Sequence, residues 1–274
     1  MKETAVPHLS RAAHAFDGAA AGFDQRFGDW RSVAAQRRAV RAALAAAFPE
    51  GARLLEVGGG TGEDARWLSE RHRRVFLTDA SPAMVEAATQ KLRDYPSTRT
   101  AVVAAEDLAS WSPAGEAPFD GAFSNFAALN CVTDLRPVAR GLARLVRPGG
   151  AAMLVVFGVC CPGEMLVQCV RGDLRAALRR TARGNVPARL GGRPFEVRYH
   201  RAKAITAAMA PMFALTARQG IGVFVPPSAA EPWISQHPGL LRGCEALDRL
   251  VSRPLAMLGD HVLYHFTRTD APLP

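Results

Sequence analysis

Short apolar runs alternate with longer stretches of helical spacing along the first part of the chain. Runs at 54–57, 75–78, 101–104, 121–124 and 151–157 are bounded by glycines, acidic residues or turn signals, and their length marks them as buried strands. Between them, 63–71 (EDARWLSER) has the periodicity of a helix. Ser81 followed by Pro82 reads as an N-cap with proline in the first helical position, opening a helix that runs to about residue 93. The turn-like PAGEAPFD (113–120) precedes the fourth strand, and a helix over 135–145 is stopped by RPGG. Strand-helix repetition of this kind predicts a parallel sheet with helices on both faces, and ligands at the carboxyl ends of its strands where the strand order reverses.

Beyond residue 158 the rhythm breaks. A helix at 204–210, a strand at 213–225 with a glycine bend and a last strand at 261–267 complete an α/β fold of seven strands. Two insertions interrupt it. Residues 159–204 read as a basic helical insertion, and 226–260 as a second one holding a helix at 243–251. The expected organisation is therefore 1–158, N-terminal helices and the binding core; 159–204, a substrate lid; and 205–274, the rest of the sheet with its insertion. Segments of this size inside a compact domain usually carry lids or binding loops.

Composition adds little until charge is considered. At 274 residues and 49% hydrophobic, the chain can bury a sizeable core. No apolar run reaches the roughly 18–20 residues that span a bilayer. The start, MKETAVPHLSRAAHAFD, has no apolar h-region, so no signal peptide is expected. Cys131, Cys160, Cys161, Cys169 and Cys244 form no CxxC pair, which predicts reduced thiols, a cytoplasmic location and no metal site. The net charge of +9 is concentrated: ten Arg/Lys against three Asp/Glu lie between 160 and 204. Over 163–184, Leu166, Val167, Val170, Leu174, Ala177 and Leu178 share one helical stripe, while Arg171, Arg175, Arg179 and Arg180 lie largely off it. A basic amphipathic helix there predicts either peripheral contact with an anionic membrane, a cap on a lipophilic substrate, or an ordinary lid with its arginines in water. GNVPARLGGRPF (184–195) reads as a mobile loop.

LLEVGGGTGED (54–64) carries the candidate chemistry. Glycines between a strand and a helix let the main chain approach a ligand closely. The absence of GKS or GKT disfavours a triphosphate cradle. Asp79, at the end of the second strand, is placed to accept from a ribose diol. That feature alone suits NAD as well. The whole string LLEVGGGTGEDARWLSERHRRVFLTDASPAMVEAATQKL resembles the class I S-adenosylmethionine-dependent methyltransferases of the type 11 group, through Glu56, Gly58, Gly60, Gly62, Asp79, Ser81, Pro82 and Met84. AAEDL (104–108), FDGAFSNFAALN (119–130) and LVRPGG (145–150) extend the likeness over roughly 36–158 and the last strand. The upstream AFDGAAAGFDQRF (15–27) is similar to a segment of the same group, with Phe16 and Phe23 where tyrosine is common.

The resemblance implies a Rossmann-like seven-stranded methyltransferase sheet and S-adenosylmethionine as cofactor, with S-adenosylhomocysteine as product. It implies that Glu56 orients the amino-acid end, that Asp79 holds the ribose, and that Ala80 or Met84 packs on adenine. Asp107, beside Glu106 and Leu108, would accept from the adenine amino group, and the Ser124 carbonyl would meet the ligand ammonium. Gly58, Gly59, Gly60, Gly62 and Ser81 complete the implied cofactor set, and Arg37 or Arg38 either meets the cofactor carboxylate or belongs to a solvated helix face. Tyr199 and His200, ending the basic insertion, are the first candidates for catalysis, with His237, His261 and His265 as further bases. The acceptor expected is a small, apolar or acidic metabolite, quinone-like, lipid or secondary-metabolite in kind, held by 160–204 and 226–260 together. An RNA methyltransferase using the arginine-rich insertion and a non-catalytic cofactor-binding protein stay as alternatives. RNA is the weaker, since aromatic interleaving is sparse, and no DNA partner is expected. The oligomeric state stays open.

Overall fold

The computed structural model of the chain describes residues 9–113, 115, 118–126 and 128–272; the turn expected across 113–120 falls partly outside this set. Seven strands form one sheet: β1 (Arg53–Val57), β2 (Arg74–Asp79), β3 (Arg99–Val102), β4 (Phe119–Ser124), β5 (Val146–Phe157), β8 (Phe213–Ile221) and β9 (His261–Arg268). A separate hairpin pairs β6 (Asn185–Leu190) with β7 (Arg193–Arg198). The sheet order is β3-β2-β1-β4-β5-β9-β8, parallel through β5, with β9 antiparallel to both neighbours. The chain works outward from β1 to β3, then crosses back to β4. The order therefore reverses between β1 and β4, and their carboxyl ends border the crevice where such sheets bind ligands.

Strand period and helix period together build the core. Along β5, Met153 and Val155 join one apolar layer, and Ala152, Leu154 and Val156 the other. The first layer is closed by Val40 and Leu44 of α3 (Arg31–Ala47), Ala65 and Leu68 of α4 (Glu63–Ser69), and Ala88 of α5 (Pro82–Lys91). The second is closed by Val138 and Leu142 of α6 (Leu135–Leu145) with Ile205 and Met209 of α9 (Ala202–Met209). The predicted cap of α5 is made: the Ser81 hydroxyl accepts from the Met84 N–H at 3.1 Å, with Pro82 next in the chain. No helix among the described residues is long and apolar enough to cross a membrane.

The sheet edges and the insertions depart from the sequence reading. β5 starts at Val146, through RPGG, because Val146 pairs with Phe119. β8 stops at Ile221, where Gly222 turns with φ of 68°. Residues 159–204 are only half helical. Gly172 (φ 77°) breaks the expected amphipathic helix into α7 (Pro162–Val170) and α8 (Leu174–Leu178). Most of the expected mobile loop lies in the β6–β7 hairpin, turned by Gly191 and Gly192 at φ of 56° and 79°, a pair of values that two-residue hairpin turns require. Its signal was the alternation in NVPARL and RPFEVR, whose Val186, Ala188, Phe195 and Val197 face inward. The second insertion holds α10 (Pro238–Val251), opened by Pro238 five residues before the expected start.

Candidate active site

The glycine loop forms the floor of the site through its backbone. Gly58 and Gly59 N–H groups both donate to the Thr78 carbonyl, at 2.8 and 3.0 Å, which turns the chain back over β2. Gly60 then donates its N–H to Asp79 Oδ2 at 2.9 Å, and Ser81 donates its own to Asp79 Oδ1 at 2.9 Å. Gly60 (φ 55°) and Gly62 (φ 82°) take the left-handed conformation that a side chain resists. Around Gly60 there is open space where a Cβ would stand, so a ligand can reach its main chain.

Above this floor lies a cavity of about 970 Å³, at the upper end of the size range of small-ligand sites. Nine of the thirteen residues predicted for cofactor contact line it: Glu56, Gly58, Gly59, Gly60, Asp79, Ala80, Met84, Glu106 and Asp107. Four do not. Leu108 is fully buried in the apolar layer under α6, and the Ser124 side chain is buried in the strand. Gly62 caps α4 against Ala88 and Leu92, and Ser81 is occupied by capping α5.

Burial sets the charge state of this floor. Desolvation pushes the Glu56 carboxyl well above the ordinary range, helped by the charges of Asp64 and Asp79 and opposed by those of Arg37 and Arg41. Its Oε2 is buried without a hydrogen-bond partner, an acceptor left open at the cavity wall. Asp79 is also raised by burial, with its backbone donors pulling the other way.

The roof comes from the N-terminal helices, not from the insertions. Ala12, Ala13 and Phe16 of α1 (Arg11–Asp17), Phe23 and Phe27 of α2 (Phe23–Gly28), and Val33, Ala34 and Arg37 of α3 line the cavity. No residue of 160–204 or 226–260 does, which corrects the expectation that these segments form the acceptor pocket. Side chains hold the roof in place. Asp17 Oδ1 accepts from the Ser81 hydroxyl at 2.9 Å and the Ala83 N–H at 2.8 Å, tying α1 to the start of α5. Asp24 accepts from Thr61 at 2.6 Å and from Lys91 at 2.7 Å, and Lys91 also reaches Glu63 at 2.7 Å. The third tie is Asp64 on α4, which accepts from Arg41 Nε at 2.7 Å and from Asn125 Nδ2 at 2.6 Å.

Asn125 also shapes the wall. Its Oδ1 accepts from the Phe126 N–H at 2.8 Å, fixing Phe126 at the unusual φ of 43°. The Phe126 ring then lines the cavity between the Arg37 guanidinium, 5.0 Å from its centroid, and the edge of His261. Arg37 is the sole cation on the described lining; Arg38 turns away to pair with Glu245 at 2.7 Å.

The two catalytic candidates are placed elsewhere. Tyr199 is buried against Phe157, and His200 Nε2 lies 2.9 and 3.2 Å from the carbonyls of Val132 and Leu129. Two carbonyl partners make that nitrogen a donor, and burial lowers the His200 pKa, so the ring braces the 128–132 segment instead of facing the cavity. The hairpin that these residues end supports the site at second hand. Phe195 meets Phe16 edge-on at 5.7 Å, so β6–β7 backs α1 from outside. Asp64, Asn125, Phe126 and Asp24 line the cavity and were not among the predicted site residues. Their signal was weak because each depends on a partner distant in the chain.

Residues 54–150 match the family model described as a methyltransferase domain. Malonyl-(acyl-carrier protein) O-methyltransferase 1 of Ilyobacter polytropus is 36% identical over 107 residues, 38% of this chain and 38% of that protein. The tRNA 5-carboxymethoxyuridine methyltransferase of Escherichia coli K12 is 33% identical over 117 residues, 42% of this chain and 43% of that one. The chain thus spans about two fifths of the length of these curated relatives. The Burkholderia thailandensis 1,6-didemethyltoxoflavin-N1-methyltransferase, solved with S-adenosylhomocysteine, has the same fold, with a TM-score of 0.55 at 19% identity over 98% of this chain and 93% of that one.

Proposed function

We propose that this chain, whose residues 54–150 match a methyltransferase domain, is a class I S-adenosylmethionine-dependent enzyme that methylates a small apolar acceptor bearing an acidic or electron-rich head. The observation that carries this reading is the division of one cavity into an acid-rich, glycine-lined floor and an apolar, aromatic roof. The floor fits the cofactor by the chemistry of its donor set. Glu56, with an open buried acceptor, takes the ammonium; Asp79 takes the ribose hydroxyls; Asp107 takes the adenine amino group, with Met84 and Ala80 against the base. Arg37 takes the carboxylate.

Bound there, S-adenosylmethionine supplies a sulfonium methyl open to in-line attack. The residues of this chain supply orientation and a water-poor roof, which is much of what such a displacement needs. A base is a different matter. In the described lining there is no histidine, and burial with the charges of Asp79 and Glu106 pushes the Cys131 thiol up to about 12, so it stays neutral. Asp24 and Asp64 are both engaged in the ties of the roof. Glu63 is held by Lys91 at 2.7 Å, and Glu106 lies beside Asp107 at the adenine end, so in this reading the acceptor arrives ionised on its own account, as a carboxylate or an acidic phenol or enol. With the cofactor held by Glu56, Asp79 and Arg37, such an acceptor would take the methyl carbon with its own lone pair, and the carbon–sulfur pair would leave with sulfur.

The test has two parts. Calorimetry should give a dissociation constant for S-adenosylmethionine and S-adenosylhomocysteine and no heat with NAD. Label from methyl-tritiated cofactor, incubated with apolar carboxylic acids and phenols or with total RNA, should pass to the organic acids. Recovery of label in RNA alone, or affinity for NAD alone, would overturn the assignment.

A further inference from the structure

We infer that the outer face of α7 and α8 is a docking surface for an anionic phospholipid bilayer. The apolar stripe that the sequence places there turns inward only at Val167 and Ala177. Leu166, Val170, Leu174 and Leu178 are 67%, 81%, 66% and 54% exposed, and none lines the cavity. The opposite face explains why. Glu164 and Arg180 are buried as an ion pair, Arg180 also reaches Asp260 Oδ1 at 2.6 Å, and Gln36 donates to Asp260 Oδ2 at 3.0 Å. Once this polar anchor is buried, rotating α7 to hide its leucines would strand charges in the interior, a larger penalty than leaving alkyl groups in water. The stripe is held outward by the fold.

Charge decides the occupant. Arg171, Arg175 and Arg183 are exposed on this segment, and they outnumber the exposed carboxylate of Asp173, which caps α8 by accepting from the Ala176 N–H at 2.8 Å. Arg171 keeps one donor on the Ala229 carbonyl at 2.7 Å but remains exposed, and Arg179 is paired with Glu164. Alkyl groups among guanidinium groups match the boundary between acyl chains and acidic headgroups. A second copy of the chain seated symmetrically on the same patch would set these arginines against their equals. An RNA would leave the four alkyl side chains without partners. Both helices follow β5, so the surface lies toward the same carboxyl edge of the sheet as the cavity.

The full chain should co-sediment with vesicles of phosphatidylcholine mixed with phosphatidylglycerol, less well as salt rises, and not with phosphatidylcholine alone. Val170→Ser with Leu174→Ser should weaken that binding roughly tenfold or more. Arg171→Glu with Arg175→Glu should remove the preference for phosphatidylglycerol. Both variants should keep wild-type circular dichroism and S-adenosylmethionine affinity, because neither pair touches the cavity or the anchor. Failure of the wild type to bind the mixed vesicles would overturn the inference. So would unchanged binding by both folded variants, or a wild-type dimer that the serine pair converts to monomer.

Discussion

The floor and the roof of the cavity are built by different means. The floor is backbone: glycine N–H groups, strand ends and the Asp79 carboxylate fixed by main-chain donors within about one βαβ unit. The roof is three helices held down by side chains, Asp17 on Ser81, Asp24 on Lys91 and Thr61, and Arg41 on Asp64. A floor made this way is rigid before any ligand arrives, as cofactor recognition requires. A roof held by a few polar ties can release a product without unfolding the sheet.

Cutting the tie that joins both parts should have the largest effect. Asp64→Ala leaves Arg41 and Asn125 without their buried acceptor and frees Phe126 from its support. Denaturant unfolding should register a loss of about 3 kcal/mol or more. A loss well under 1 kcal/mol would mean the two parts are not coupled through Asp64.

Changes confined to the floor should act on affinity. Asp79→Ala should cost about 1–3 kcal/mol of S-adenosylmethionine binding by calorimetry, the price of leaving polar groups unpaired. Gly60→Val should cost at least as much, since a β-branched residue resists φ of 55° and would fill the open space there. Roof variants such as Phe16→Ala should leave cofactor affinity nearly intact and reduce turnover. The reverse pattern would dissolve the division.

A pH titration sharpens the contrast. Glu56 is raised by burial, so without ligand it stays protonated above its ordinary 4.5. Its burial therefore costs stability progressively as pH rises from 4.5 toward the raised value. A ligand ammonium favours the ionised form. Affinity for the cofactor should increase with pH across that window, with proton release visible in buffers of different ionisation enthalpy. Glu56→Gln should flatten the dependence, and a slope that survives the substitution would point to another group.

The smallest effect belongs to the roof clasp. Asp24 is lowered, since hydrogen bonds from Lys91 and Thr61 outweigh its burial, so the clasp is complete above 3.8 and is lost only as pH falls below it. Lys91 and Asp24 are partly exposed, and Lys91→Ala should change stability by less than about 1 kcal/mol. Stopped-flow release of S-adenosylhomocysteine should nonetheless become a few times faster. An unchanged release rate would show that the clasp does not govern opening.

By itself the sequence determined the strand-helix rhythm, the crevice between β1 and β4, and the floor, because those rest on local pattern: LLEV into glycines, Asp79 closing β2, Ser81–Pro82 opening α5. Tertiary structure alone decided the rest. His200 was a base by residue type and became a brace once two carbonyls met its ring. Of the stripe over 163–184, Val167 and Ala177 turn inward, yet Leu166, Val170, Leu174 and Leu178 lie in water because Glu164 and Arg180 claim the interior. Periodicity says that two faces differ but not which one turns inward. That choice is made by partners such as Asp260, some eighty residues further along the chain, which no local window contains.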